Sequence, residues 1–178
     1  MTGRRVVITG LGLLTPCGRG WKPYWQATLD TQSHIRFISS SVPSLEKRLA
    51  GEISDFDPSE YIKQRKSLKV MSREIQLAVA ASHLAIEDSG VVLENIERSR
   101  FGISLGTGII NNDLDEIGVG IQKGFDPSGK FQMTRFGADG VRSLFPLWFL
   151  KYLPNMPACH ISIAHGISGP SNTVTTSS

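Results

Sequence analysis

Cysteine is scarce in this sequence: Cys17 and Cys159 are the only two, far apart and outside any CxxC or Cys/His spacing. That argues against both a disulfide framework and a zinc site, and free thiols fit a reducing cytoplasm. Long apolar runs are missing as well. No stretch approaches the roughly 20 residues that span a bilayer, and the N-terminus lacks a long apolar region ahead of a small-residue cleavage site. The expectation is a soluble, cytoplasmic chain with no membrane partner. A dominant charge is absent too: 19 Lys and Arg against 16 Asp and Glu leave a net +3, too small and too evenly mixed to indicate a nucleic-acid partner. Neither an internal repeat nor a low-complexity tract occurs. What remains is 178 residues, 40% hydrophobic and 20% charged, an ordinary globular composition for about one domain.

The run Arg4-Arg5-Val6-Val7-Ile8-Thr9-Gly10 passes from polar through β-branched residues to glycine, the pattern of a strand buried on both faces. Residues 11–20 hold three more glycines and Pro16 and are expected to loop. A short helix over Trp21 to Leu29 would put Trp25 and Leu29 on one face. Residues 30–60, polar and irregular, form a surface excursion with a short strand near Ala50 to Ile53. The clearest helix starts after Ser72, an N-cap residue, carries Ile75, Val79, Ala80, Leu84 and Ile86, and stops at Ser89-Gly90. Apolar and small residues nearly surround it, so burial on most sides is expected. Phe101 to Gly106 reads as a second parallel-type strand, joined to the first by a right-handed crossover through that helix. Beyond a weak helical stretch from Asp113 to Gln122, Pro154 and Pro157 divide the segment from Pro146 to Ile163 into at least two pieces. Ser171 onward is a short β-branched strand. The order predicts an α/β fold with a mostly parallel sheet.

Gly10-Leu11-Gly12 after a strand invites a dinucleotide reading, but the third glycine would fall at Thr15, no helix starts there, and Asp30 does not end a second strand. Glycines in a tight turn account for the motif better. Cys159 and His160 are adjacent and so point apart in any regular structure, which argues against a catalytic pair. His34 and His83 have an ordinary surface or core reading.

Several blocks in collinear order carry a resemblance: RRVVITGLGLLTPCG from Arg4 to Gly18, Trp25 and Leu29, Arg65-Lys66, Asp88-Ser89-Gly90, GISLGTGI from Gly102 to Ile109, and GISGPS from Gly166 to Ser171. Together they resemble the N-terminal half of the β-ketoacyl-acyl carrier protein synthases. The resemblance implies a thiolase-like, layered α-β-α-β-α fold of which residues 1–178 supply the N-terminal portion. It also implies a homodimer, or a heterodimer with a ketosynthase, and acyl groups delivered on the phosphopantetheine arm of an acyl carrier protein. The chemistry so implied is decarboxylative Claisen condensation in fatty-acid or polyketide synthesis, without metal or cofactor. In that family a cysteine at a strand end and helix start takes the acyl group, its pKa lowered by the helix dipole, with two histidines and a lysine from the C-terminal half.

Laid on the family's GPS turn, the nucleophile position falls on Ser178. A hydroxyl is a far weaker nucleophile than a thiolate and is not ionised by a helix dipole at neutral pH, so Ser178 is not expected to be acylated without a strong adjoining base. The alternative is a non-catalytic, chain-length-factor type of partner that shapes another subunit's acyl tunnel. The resemblance places Ile109, Leu147 and Trp148 along the acyl chain. It places carrier docking on Lys66 and Lys69, within the basic cluster Lys63, Arg65, Lys66, Lys69 and Arg73, and on Arg142; a solvated basic face is the competing account. Without the next helix, the parallel strands are expected to expose sheet edges, so that the chain alone aggregates or needs a partner.

Overall fold

The structure, a computed structural model, describes residues 3–38, 48–108 and 112–176. In chain order its elements are β1 (Leu14–Thr15), β2 (Gly18–Arg19), α1 (Trp21–Leu29), β3 (Arg36–Phe37), β4 (Leu49–Ala50), α2 (Arg65–Leu68), α3 (Arg73–Ser89), β5 (Ile103–Thr107), α4 (Leu114–Gly124), α5 (Met133–Arg135), α6 (Met156–His165) and β6 (Ser171–Thr175). Short 3-10 turns join them, and a π-turn spans Phe136–Gly140.

Helix α3 follows its sequence signals to the residue. The Ser72 hydroxyl accepts from the Ile75 N–H at 3.4 Å, satisfying one of the orphan donors of the first turn. At the other end Gly90 adopts φ 64, the left-handed cap that glycine enters without a Cβ penalty. Between them Ile75 and Val79 are fully buried. They form a core with Ile62, Met71, Ile161 and Ile167, the last two coming from α6 and the residues after it. Burial is narrower than the sequence suggested: of the helix's 17 residues only Ile75, Val79 and Ala80 are buried. The small residues beside them leave the helix half-covered instead of enclosed.

Helices α1 and α4 form close to where expected, α4 starting after Asp113, whose carboxylate accepts from the Asp115 N–H at 2.9 Å. The proline-rich segment does divide, into a 3-10 turn at Trp148–Tyr152 and helix α6. Pro157 does not break that helix; it sits in the first turn, where its missing N–H would have had no helical partner.

Strands β5 and β6 pair in parallel, Ile103 opposite Ser171 through Thr107 opposite Thr175. Helix α6 packs against both strands and against α3. Where the pair begins, the backbones approach too closely for side chains. A Cβ on Gly102 would lie 2.4 Å from the Pro170 carbonyl oxygen, and one on Gly169 would lie 2.5 Å from that of Phe101. The Phe101 carbonyl itself accepts from the Gly169 N–H at 3.0 Å.

The strand expected at residues 4–10 is not formed. Val6, Val7 and Ile8 are 93%, 66% and 83% exposed, and no strand among the described residues runs alongside them. An apolar, β-branched run becomes a strand only against a neighbour, and the partner of β5 is β6. The crossover from residues 4–10 to β5 is therefore not made either, and among the described residues the parallel sheet has two strands. The Gly10-Leu11-Gly12 motif also has a different cause from the tight turn expected. Neither glycine has a left-handed φ. Instead the segment lies on helix α3, and a Cβ on Gly12 would fall 2.0 Å from the Ala81 carbonyl oxygen.

Gly102→Ala is expected to destabilise the fold by about 1–3 kcal/mol, the usual range for forced overpacking. Gly106→Ala on the same strand, where a Cβ meets nothing within 4 Å, is expected to stay within about 0.5 kcal/mol of the parent. Urea unfolding of the two variants checks this, and equal midpoints would show that the close approach is no constraint.

Candidate functional site

In α/β sheets ligands gather beyond the carboxyl ends of the strands. Here Thr107 faces Thr175 at that end, so β5 and β6 leave the sheet side by side. Ile109 and Ser178, the acyl-lining and nucleophile positions suggested by sequence, follow these strands directly and lie outside the described residues.

Helix α6 contributes two buried histidines. His160 is 6% exposed, and its Nε2 has no hydrogen-bond partner. His165 Nε2 lies 2.9 Å from the Ser82 hydroxyl of α3. His83 stacks on His165 with ring centres 5.9 Å apart, Tyr61 meets His83 edge-on, and the Arg98 guanidinium donates to the His165 carbonyl. Burial pushes the pKa of both α6 histidines down; for His165 the charges of His83 and Arg98 push the same way. Cys159 makes no pair with His160: its Sγ accepts instead from the Asn155 amide at 3.8 Å. The Ser82–His165 hydrogen bond and the His83–His165 stack join α3 to α6.

A cluster not anticipated from sequence lies where α4 begins. Lys151 Nζ donates to both oxygens of Glu116, at 3.0 and 3.1 Å, and the Tyr152 hydroxyl donates to Glu116 at 2.7 Å. The same hydroxyl accepts from the Asp113 N–H at 3.2 Å. The ion pair is half-buried, with side chains 19% and 16% exposed. Desolvation, then the hydrogen bond to Glu116, pushes the Tyr152 phenol up to about 12. The cluster ties the first turn of α4 to the Trp148–Tyr152 turn. Trp148 is half-buried with its ring 6.0 Å from that of Tyr152, and Leu147 is exposed. No local spacing signals such a cluster, because its partners are about 35 residues apart. Only the pairing of a carboxylate in a first turn with a distant Lys-Tyr dipeptide could have hinted at it.

The cations separate into two groups. Lys66 lies on α2 and Lys69 caps it; both are exposed, as are Lys63 and Arg65. Arg73 leaves this cluster: its guanidinium donates to the Ile53 carbonyl and lies 5.4 Å over the Phe56 ring, so it has a structural use the sequence did not reveal. Arg142 belongs elsewhere, in a groove of ≈ 470 Å³ that it lines with Lys123, Arg135, Gln122, Phe125 and Asp139. No helix among the described residues is long and apolar enough to cross a membrane.

A family model described as "Beta-ketoacyl synthase, N-terminal domain" matches residues 3–178. The chain belongs to the β-ketoacyl synthase family. Among curated relatives of the family, the 3-oxoacyl-[acyl-carrier-protein] synthase 2 of Vibrio harveyi is 32% identical over 177 residues, covering 99% of this chain and 39% of its own. The chain thus spans about two-fifths of the length of such relatives. Among solved structures, the ishigamide ketosynthase/chain length factor superposes with a TM-score of 0.74 at 23% identity, over 97% of this chain and 40% of that one. A type II PKS acyl-carrier protein in complex with its ketosynthase gives 0.67 at 18% identity, over 96% and 41%. The thiolase-like α/β fold expected from the β-ketoacyl synthase motifs is the fold of the chain.

Stability is expected to fall as the pH drops below about 6.5, the ordinary histidine value. There the unfolded chain binds protons at His160 and His165 that the folded chain refuses until a lower pH, so unfolding gains. Thermal melts between pH 7.5 and 5 should show the slope, reduced in His165→Gln; an unchanged slope would remove His165 from this account. Tyr152→Phe, which deletes two hydrogen bonds of a half-buried cluster, is expected to lose about 1–2 kcal/mol in urea unfolding.

Proposed function

We propose that the protein handles acyl chains carried as thioesters on an acyl carrier protein, as the N-terminal part of a 3-oxoacyl-[acyl-carrier-protein] synthase. The observation that carries this reading is family membership along residues 3–178, supported by 32% identity to a curated synthase. In such a reaction malonyl carrier protein loses carbon dioxide, and the resulting carbanion equivalent attacks the acyl thioester carbonyl, expelling the thiolate. Ile109, Leu147 and Trp148 would lie along the acyl chain. The exposed ammonium groups of Lys66 and Lys69, with Arg142 at a separate site, would meet an acidic carrier by electrostatic steering. Pairing with a second subunit, either another copy or a ketosynthase, belongs to the same proposal.

One residue favours a second reading. Ser178 stands at the position of the acylated cysteine, and a serine without an activating base forms no acyl enzyme at neutral pH. The subunit would then act as a non-catalytic partner of the chain-length-factor type. Incubation with radiolabelled acyl carrier protein separates the two readings. No stable label on the chain is expected, and acyl transfer to Ser178 would overturn the non-catalytic reading. Docking has its own test: Lys66→Glu with Lys69→Glu is expected to slow association with the carrier about tenfold at low salt, the effect fading as the salt rises. Association that is indifferent to both changes would remove these lysines from the interface.

A further inference from the structure

We propose that the groove between the last turn of α3 and the start of α1 is a binding site for an organic ammonium ion, a protonated primary amine carried on an apolar body. The groove measures ≈ 410 Å³, within the range of small-ligand sites, roughly 300–1,000 Å³. Much of its lining is apolar or aromatic: Leu11 from the segment lying on α3, Leu84 from α3 itself, and Trp21 with Pro23 from α1. Two carboxylates, Glu87 and Asp88, line it beside them.

Local stability does not explain where those carboxylates stand. They occupy the last turn of α3, where the carbonyl ends of the helix already concentrate negative partial charge and favour a cation. No basic residue lies in that turn. Glu87 is exposed and takes part in no ion pair among the described residues. Asp88 accepts from two neutral donors, the Leu11 N–H and the Trp21 indole, each at 2.9 Å. Those bonds hold its pKa down, so the group is charged, and they occupy only two of the roughly four acceptor positions of a carboxylate.

The cations of the groove do not cancel this charge. Arg19 is committed elsewhere, its guanidinium donating to Glu60 and to the carbonyl and carboxylate of Asp55. Lys22 remains, exposed, with its Nζ 5.8 Å over the Trp21 ring. Two carboxylates against one ammonium leave the groove net negative. The same contact shows that the indole face takes a cation, and it makes Lys22, on its flexible stem, a competitor that an incoming amine displaces.

The lining also selects the ligand. A primary ammonium has three donors, enough to engage Glu87 and the open acceptor positions of Asp88 together. Its apolar body would cover Leu11, Leu84 and the indole, surface that a bare inorganic cation would leave in water. An anion would meet both carboxylates with like charge.

The test is calorimetric titration of the chain at low salt with phenethylamine, phenethyl alcohol and methylammonium chloride. Saturable binding of phenethylamine is expected. The alcohol keeps the body without the charge and methylammonium keeps the charge without the body, so both are expected to bind several-fold more weakly. Glu87→Gln is expected to weaken phenethylamine about threefold, the worth of one exposed charge pair. Lys22→Gln is expected to tighten it by a similar factor, because the competing cation is gone. Both side chains are exposed, and unchanged melting temperatures would show that the variants fold. No saturable binding of phenethylamine, equal binding of the alcohol or of methylammonium, affinity indifferent to either substitution, or weakening by Lys22→Gln would overturn the site.

Discussion

The parallel pairing of β5 with β6 is the constraint on which the packing of α6, and through it the α3 core, is built. Two strands joined by residues 108–170 must be brought together at a loop-closure cost that grows slowly with length but is never recovered locally. The recovery comes from helix α6, which packs on both strands and carries Ile161 into the α3 core. The glycines at Gly102 and Gly169 let the strands start close enough to pair. A side chain at either one would displace the start of the ladder, and with it the direction in which both strands leave the sheet. The course of both strands is thus tied to two residues that have no side chain.

Elements whose ends are written locally were legible in the sequence. Helix α3 has its cap residue, its apolar spacing and its terminal glycine in consecutive order, and all three act as their chemistry dictates. Residues 4–10 are the opposite case. Their composition states a preference for a strand, yet strand formation is decided by a neighbour, and composition cannot name the neighbour. Gly10 and Gly12 show the same limit: the sequence marks where glycine is needed, but a turn and a close approach to another helix leave the same mark.

The candidate site residues divide along similar lines. Family motifs marked Ser178, Ile109 and the α2 lysines because those positions are defined by short, ordered blocks. The Glu116, Lys151 and Tyr152 cluster and the Lys123, Arg135 and Arg142 groove were not legible, since each joins side chains contributed by different elements. Even the basic cluster before α3 was only partly readable. Lys66 and Lys69 point to solvent, whereas Arg73, identical in formal charge, is bound to the Ile53 carbonyl and the Phe56 ring. Charge can be counted in a sequence, but its availability depends on what each cation already touches.

The carboxylate of Asp88, at the last turn of α3, accepts from the Leu11 N–H at 2.9 Å through one oxygen and from the Trp21 indole at 2.9 Å through the other. Both bonds hold its pKa down. A single side chain therefore fastens two otherwise separate pieces of chain, the segment lying along α3 and the first residue of α1. Either bond can break alone, but displacing the Asp88 carboxylate releases both, because the acceptor is common to them. In the language of native-state fluctuations, fraying of the end of α3 is expected to loosen the N-terminal segment and the start of α1 together.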